Sequence, residues 1–368
     1  MNTKLKQDTF WEKNLGKILI VFVYILLFAI FLYLPVIKNF FSEKNKILNV
    51  YAFTDMISPE TAKEFEDLTG IKVNLKYFDT NEELYAKFKI SQGKGYDLIT
   101  TSDSTVELLI NSDLLAKIDI NKLLNFKNID TRLTGLYFDP KNQFSIPYFW
   151  STDGIIFNKN RFKNINVDWD LVFNKPKNNK FKICMLDSSK EAILLVAINL
   201  FNRVDNLTDQ ELEQIKKVLV NQSTWVDAYM LASLQYYLFS DVVPLAITSS
   251  AFAKKVLELS DDFEYTIPKN GTIILVDNLV IPKSSKKIEL AHKFIDFLIS
   301  KKIIAYNSDK FGYNPANKYA YELLPEKFVK NKAFFPDNNT FKKLYLLHNN
   351  LNVKKIDDLW LEVQLSKD

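Results

Sequence analysis

The chain has 368 residues, enough for two domains with separate cores. Apolar residues make up 47% and aromatics 14%, which excludes a disordered chain. The net charge of +4 comes from lysines spread among many acidic residues, so there is no nucleic-acid footprint.

Residues 18–37 carry no charge, and a run of about twenty apolar residues spans a bilayer core. Bulky Phe31, Leu32 and Tyr33 lead into Pro35 where a cleavage site would carry small residues, and no Cys follows. The expectation is an uncleaved transmembrane helix that holds an exported domain against the membrane. Lys4, Lys6, Lys13 and Lys17 precede the run and Lys38, Lys44 and Lys46 follow it, so charge bias orients it only weakly.

The folded part opens at 47–53 with a strand whose polar tip is Phe53, Thr54 and Asp55. Ser58 as N-cap and Pro59 at the first helical position start a helix that Gly70 ends. Thr61, Phe65 and Leu68 turn one face of it inward. Residues 71–77 alternate as a strand, and Thr80 to Glu83 reads as a capping box opening a helix to about Gln92. A short strand at 96–100 and a helix at 104–112 follow. This alternation predicts a parallel or mixed sheet covered by helices, with ligands bound beyond the strand carboxyl ends. A second α/β block follows 144–150. It comprises strands at 154–158 and 181–186, a helix at 190–201, and helical stretches at 209–220 and 225–239. Strands at 244–247 and 272–281, an amphipathic helix at 289–300, a turn at 311–315 and a largely helical stretch from Thr340 complete it. With eight glycines in all, no Gly-rich phosphate loop is present.

Cys184 is the only cysteine, so no internal disulfide forms; its apolar neighbours suit a buried small hydrophobe. His292 and His348 show no metal-ligand spacing. No nucleophile has a supporting base, so neither an enzyme, a cofactor nor a metal site is expected. Asp277 is the sharpest clue, because it interrupts the apolar run 272–281. An unpaired carboxylate there is costly, so it needs a cation, hydrogen-bond donors or solvent. A structural ion pair, a turn edge and a ligand contact all satisfy that need. Glu191 fits a capping box with Ser188 as well as a ligand contact. Thr54, Asp55 and Ser102 stand at strand ends, where such residues cap, turn or bind. Phe53 and Tyr313 suit either a core or a pocket wall.

The motifs Val50-Tyr-Ala-Phe-Thr-Asp55, Thr69-Gly-Ile-Lys-Val73 and Asn81-Glu-Glu-Leu-Tyr-Ala-Lys87 come first. Tyr96-Asp-Leu98, Ser145-Ile-Pro-Tyr-Phe-Trp150, Ser250-Ala-Phe252, Asp277-Asn-Leu-Val-Ile-Pro282 and Gly312-Tyr313 follow. In this order they resemble the polyamine-binding proteins of bacterial ABC importers, the spermidine/putrescine type. The resemblance implies an α/β, two-lobe periplasmic-binding-protein type II fold after the transmembrane helix. The tail and anchor would occupy 1–46, lobe 1 would take 47–152 with 276–321, and lobe 2 would take 155–273 with 324–368. It further implies a monomer on the outer face of the bacterial cytoplasmic membrane, periplasmic or extracellular. There it would bind a small cationic ligand and serve ABC permease subunits.

In that family carboxylates hold the ammonium groups and aromatic walls hold the methylene chain, through charge-assisted hydrogen bonds and cation–π attraction. By position, Phe53 and Tyr313 take wall places, Thr54 and Ser102 hydroxyl contacts, and Asp55, Glu191 and Asp277 carboxylate places. The departures are Ser188 for a carboxylate and Ser104 for an aromatic, with Met56 after Asp55 where an aromatic is expected. Leu275 and Ile247 stand where the family carries Trp. Three readings follow: a polyamine receptor, the same architecture for another small ligand, or a surface interaction protein with a decayed pocket.

Overall fold

The structure is a computed structural model that describes residues 19–20, 22–28, 30, 46–174, 181–230, 233–240, 242–347 and 353–366. The expected membrane helix needs correction. Of residues 18–37, only 19–20, 22–28 and 30 are described, all helical, and the rest lie outside the described residues. Among the described residues no helix is long and apolar enough to cross a membrane. On that finding the expected transmembrane helix, the membrane as a partner and the anchored localisation are not upheld among the described residues.

Local chemistry sets the first units as expected, except that Leu68 is exposed while Thr61 and Phe65 turn inward. After β1 (Ile47–Phe53), the Ser58 hydroxyl accepts the Thr61 N–H and caps the helix Pro59–Thr69, and Gly70 ends it at φ 67°. β2 (Lys72–Phe78) pairs parallel with β1. Thr80 caps the helix Asn81–Ser91 by accepting the Glu83 N–H, and β3 (Leu98–Ser102) adds parallel to the other side of β1. The helix Asp103–Asn111 follows directly.

β4 (Ser145–Asn158) departs from expectation. The sequence suggests a strand at 154–158; the structure has one that starts at Ser145 and is buried along almost its whole length. β5 (Ile183–Met185), β6 (Val226–Tyr229), β7 (Leu245–Ser249), β8 (Phe263–Thr266) and β9 (Thr272–Val280) come next. The first half of β4 pairs antiparallel with β9, and its second half pairs with β7 and β8. One sheet thus runs β2-β1-β3-β9-β4 and the other continues β4-β7-β5-β6. β4 crosses from one to the other, and β9 runs beside it over Leu275 and Ile274.

The stretch 225–239 is a second departure. Val226 pairs with Ile183 at the edge of the parallel sheet, so β6 forms where a helix was expected, and the helix Leu234–Phe239 is short. Parallel pairing of a buried edge overrides helix propensity there. The helix Lys301–Phe311 follows Ile288–Leu298 and ends at Gly312, φ 89°. β10 (Asn314–Pro315) then pairs with β4, and beyond Thr340 the chain adds β11 (Leu344–Leu346) alongside β9 before the helix Val353–Leu365.

The two halves have separate cores. One unites Leu48, Phe65, Ile146, Val276, Phe294 and Ala320; the other unites Ile155, Ile183, Ile193, Leu219 and Trp360. Cys184 is buried in a third cluster with Ala246 and Phe263, and His292 is buried with its ring bonded to Asp119 N–H and Ile288 O. His348 lies outside the described residues.

The helix Ser250–Leu259 butts against the turn at Gly312, where an added Cβ would meet Ala251 O at 2.4 Å. Here Lys254 is buried and donates to Asn314 Oδ1 at 2.6 Å, and burial pushes its ammonium down to about 7. Asn314→Ala removes the partner of a buried donor. We expect a loss of about 2–3 kcal/mol, read as a lower urea midpoint at unchanged slope. A loss below about 0.5 kcal/mol would show that the ammonium finds another partner.

Candidate functional site

Cross-strand neighbours share a face of a sheet. Asp277 on β9 lies opposite Ser102 on one side and Phe149 on the other, so these three face the same way. Tyr313 stacks on Phe149 with ring centroids 5.4 Å apart and planes within 9°. Further along the same face come Leu275, opposite Ser151, and then Asp153. The neighbours of Asp153 fix its direction. Thr152 meets the Tyr265 hydroxyl, and a Cβ on Gly154 would strike the same ring, so Asp153 points the other way. That is the face on which Ile155 packs beneath the helix Ser189–Phe201.

Four carboxyl groups on these elements share one electrostatic condition. Burial pushes the Asp277 carboxyl up to about 7. Asp103 is fully buried: its Oδ1 accepts the Ser104 N–H at 2.8 Å, while its Oδ2 has no partner. Burial, with the Asp277 charge adding to it, raises that carboxyl to about 8. Asp153 is 1% exposed, its Oδ2 has no partner, and burial followed by the charge of Glu191 pushes it well above the usual carboxylate range. Glu191, in the first turn after N-cap Ser188, is raised to about 7 by burial, against the opposing pull of Ser188 and Lys190. Lys190 is lowered by burial and held up by Asp103, Glu107 and Glu191. Its ammonium therefore lies between carboxylates of both halves.

The other expected site residues are placed as follows. Ser102 Oγ lies 3.2 Å from both Ser104 Oγ and Thr105 Oγ1, beside Asp103. Phe53 packs edge-on against Phe78, 5.5 Å away. Thr54 Oγ1 donates to Asp79 Oδ1 at 2.7 Å and to Phe78 O. Asp55 is exposed, in the left-handed region at φ 64°, and 3.5 Å from Lys255 on the opposite half. Its charge and that of Asp277 add to burial in raising the Tyr313 phenol. Ile247 and Met56 are core residues: Ile247 is fully buried opposite Ile155, and Met56 sits beneath β1. Leu275 is half-buried, an aliphatic patch between Asp277 and Asp153.

Asp103, Asp153, Lys190 and Glu107 were missed from the sequence. Asp153 follows Ser151 and Thr152, so it stands out as a buried carboxyl only once β4 is seen as continuous. Asp103 reads as an ordinary first-turn helix residue until its burial is known.

Residues 60–336 match the bacterial extracellular solute-binding proteins. The putrescine-binding periplasmic protein SpuD of Pseudomonas aeruginosa is 32% identical over 82% of this chain and 86% of its own. The spermidine/putrescine-binding periplasmic protein of Salmonella typhimurium is 29% identical over the same shares, 82% and 86%. Among solved structures, the spermidine/putrescine ABC transporter substrate-binding protein PotD of Streptococcus pneumoniae superposes with a TM-score of 0.80. It is 31% identical and covers 88% of this chain and 99% of its own. These matches span both sheets and the strands that cross between them, in the α/β arrangement of type II periplasmic binding proteins, and the chain belongs to the bacterial extracellular solute-binding protein family.

Proposed function

We propose that this chain is the extracytoplasmic receptor of an ABC importer and binds a linear polyamine between its two halves. One observation carries the reading. Asp103 and Asp277 on one half, and Asp153 and Glu191 on the other, are carboxyl groups raised by burial, and the half-buried Lys190 lies near Asp103, Glu107 and Glu191. Such groups are costly without cations, and a ligand bearing several ammonium groups supplies them. Tyr313 on Phe149, with Leu275, offers the apolar surface a methylene chain needs.

On this reading lobe 1 comprises 47–152 with 276–321 and lobe 2 comprises 155–273 with 324–368. The closed pair is what permease subunits would engage. Phe53, Thr54 and Asp55 form the rim, Ser102, Ser104 and Ser188 give hydroxyl contacts, and Asp277, Glu191 and Tyr313 do most of the holding. A decayed pocket fits poorly, because nothing would retain buried carboxylates that cost stability. The aliphatic Leu275 supports a second reading, in which the same receptor takes a small cation of different shape. Thermal unfolding with putrescine, spermidine, amino acids and thiamine separates these. A polyamine at 100 times its dissociation constant adds about 2.7 kcal/mol. No shift with either polyamine, and no heat by calorimetry, would remove the polyamine from the proposal.

A further inference from the structure

We propose that Asp153 is the specificity-determining residue of the cleft, selecting a linear triamine or longer polyamine over a diamine. The inference rests on the polyamine reading above and deepens it. Asp277 lies at the level of Phe149 on β4, and Asp153 is four residues further along the same face. At 3.3 Å per residue the two carboxylate positions are about 13 Å apart along the strand. Asp103 stands with Asp277 at the near end, and Glu191 stands with Asp153 at the far end.

A four-carbon diamine spans about 6 Å between nitrogens at standard bond lengths, so it reaches one end only. A triamine with three- and four-carbon segments spans about 11 Å, which side chains leaning inward can close at both ends. Leu275 lies between the two ends, under the stretch where methylenes would run. Charge gives the same answer independently. Lys190 is held up by Asp103, Glu107 and Glu191, whereas burial alone raises Asp277 and burial with the Glu191 charge raises Asp153. With a diamine bound, the Asp153 Oδ2 that already lacks a partner gains none. A third ammonium meets it.

Calorimetry on the unaltered protein is the first test, with putrescine, spermidine and spermidine acetylated at one terminal nitrogen. Spermidine is expected to bind at least tenfold more tightly than putrescine. Acetylation, which keeps the length and removes one end charge, is expected to abolish the advantage. Equal affinity for putrescine and spermidine would overturn the assignment while leaving the polyamine reading intact; no binding of any of the three would overturn both. The second test is Asp153→Asn, checked for folding by thermal unfolding. Spermidine affinity is expected to fall at least tenfold and putrescine affinity to stay within about threefold. A parallel fall of both would make Asp153 a general binding residue and sink the selectivity claim. If the variant does not fold, the acetylation comparison on the unaltered protein still decides.

Discussion

Asp277→Asn is expected to weaken polyamine binding about 100-fold while leaving the free protein as stable as before, or slightly more so. The two halves of that expectation come from the same burial. A buried carboxylate paired with an ammonium is a charge pair whose truncation costs about 2–5 kcal/mol, and 100-fold is about 2.7 kcal/mol. In the free protein, however, burial already pushes this carboxyl up to about 7, so near neutral pH the group is partly protonated. An amide of the same shape then replaces a group that was costly to bury. Ser102, Phe149 and the β9 pairing are undisturbed, because the substitution leaves the backbone register alone. Calorimetry gives the affinity and thermal unfolding gives the stability. Affinity within threefold of the parent would show that Asp277 is a structural carboxylate that meets no ligand.

The parts of this fold that were legible from the sequence are those where one residue's chemistry decides a local geometry. Ser58 with Pro59, Thr80 and Gly70 fixed two helix starts and an end because each satisfies an otherwise orphaned backbone group. Where pairing partners decide, periodicity misled. The expected strand begins at Gly154, yet Ser151 and Thr152 pair with Leu275 and Ile274 and Asp153 with Ser249, so β4 runs through from Ser145. Val226 likewise becomes strand because Ile183 lies beside it. The same distinction governs the site. Asp277 stood out as a carboxylate in an apolar run, a feature of the sequence alone. Asp153 carries that signal too, but only once β4 is seen as continuous. Ile247 was placed on the wall by position, whereas its opposition to Ile155 puts it in the core. The stretch 18–37 shows the opposite failure: apolar length alone suggested a membrane helix, and no helix among the described residues supports it.

Polyamine affinity is expected to rise by at least about tenfold from pH 6 to pH 8, with protons released on binding. Asp277 and Glu191 are raised to about 7 and Asp103 to about 8, with Asp153 higher still, each mainly by burial. Of the groups that face them, Lys190 opposes the shift of Asp103 and Glu191, while Glu82 adds to that of Glu191 and Glu107 to that of Asp103. The phenols of Tyr137 and Tyr313 are pushed above the range. Near pH 6 the free cleft therefore holds its carboxyls largely protonated. Terminal alkylammonium groups, with a pKa near that of lysine at about 10.4, keep their charge throughout. Binding must then ionise carboxyls, and each proton released weakens binding about tenfold per pH unit below that group's free-state value. The sign for the unliganded fold is the reverse. Carboxyls whose folded values exceed the unfolded ones contribute stability that is complete below about pH 4 and is lost as pH rises through 7 to 8. Ligand should thus raise the unfolding temperature more at pH 8 than at pH 6. Calorimetry at one pH in two buffers of different ionisation enthalpy counts the protons directly. Identical heats in both buffers, with an affinity flat between pH 6 and 8, would mean that these carboxylates are already charged before the ligand arrives.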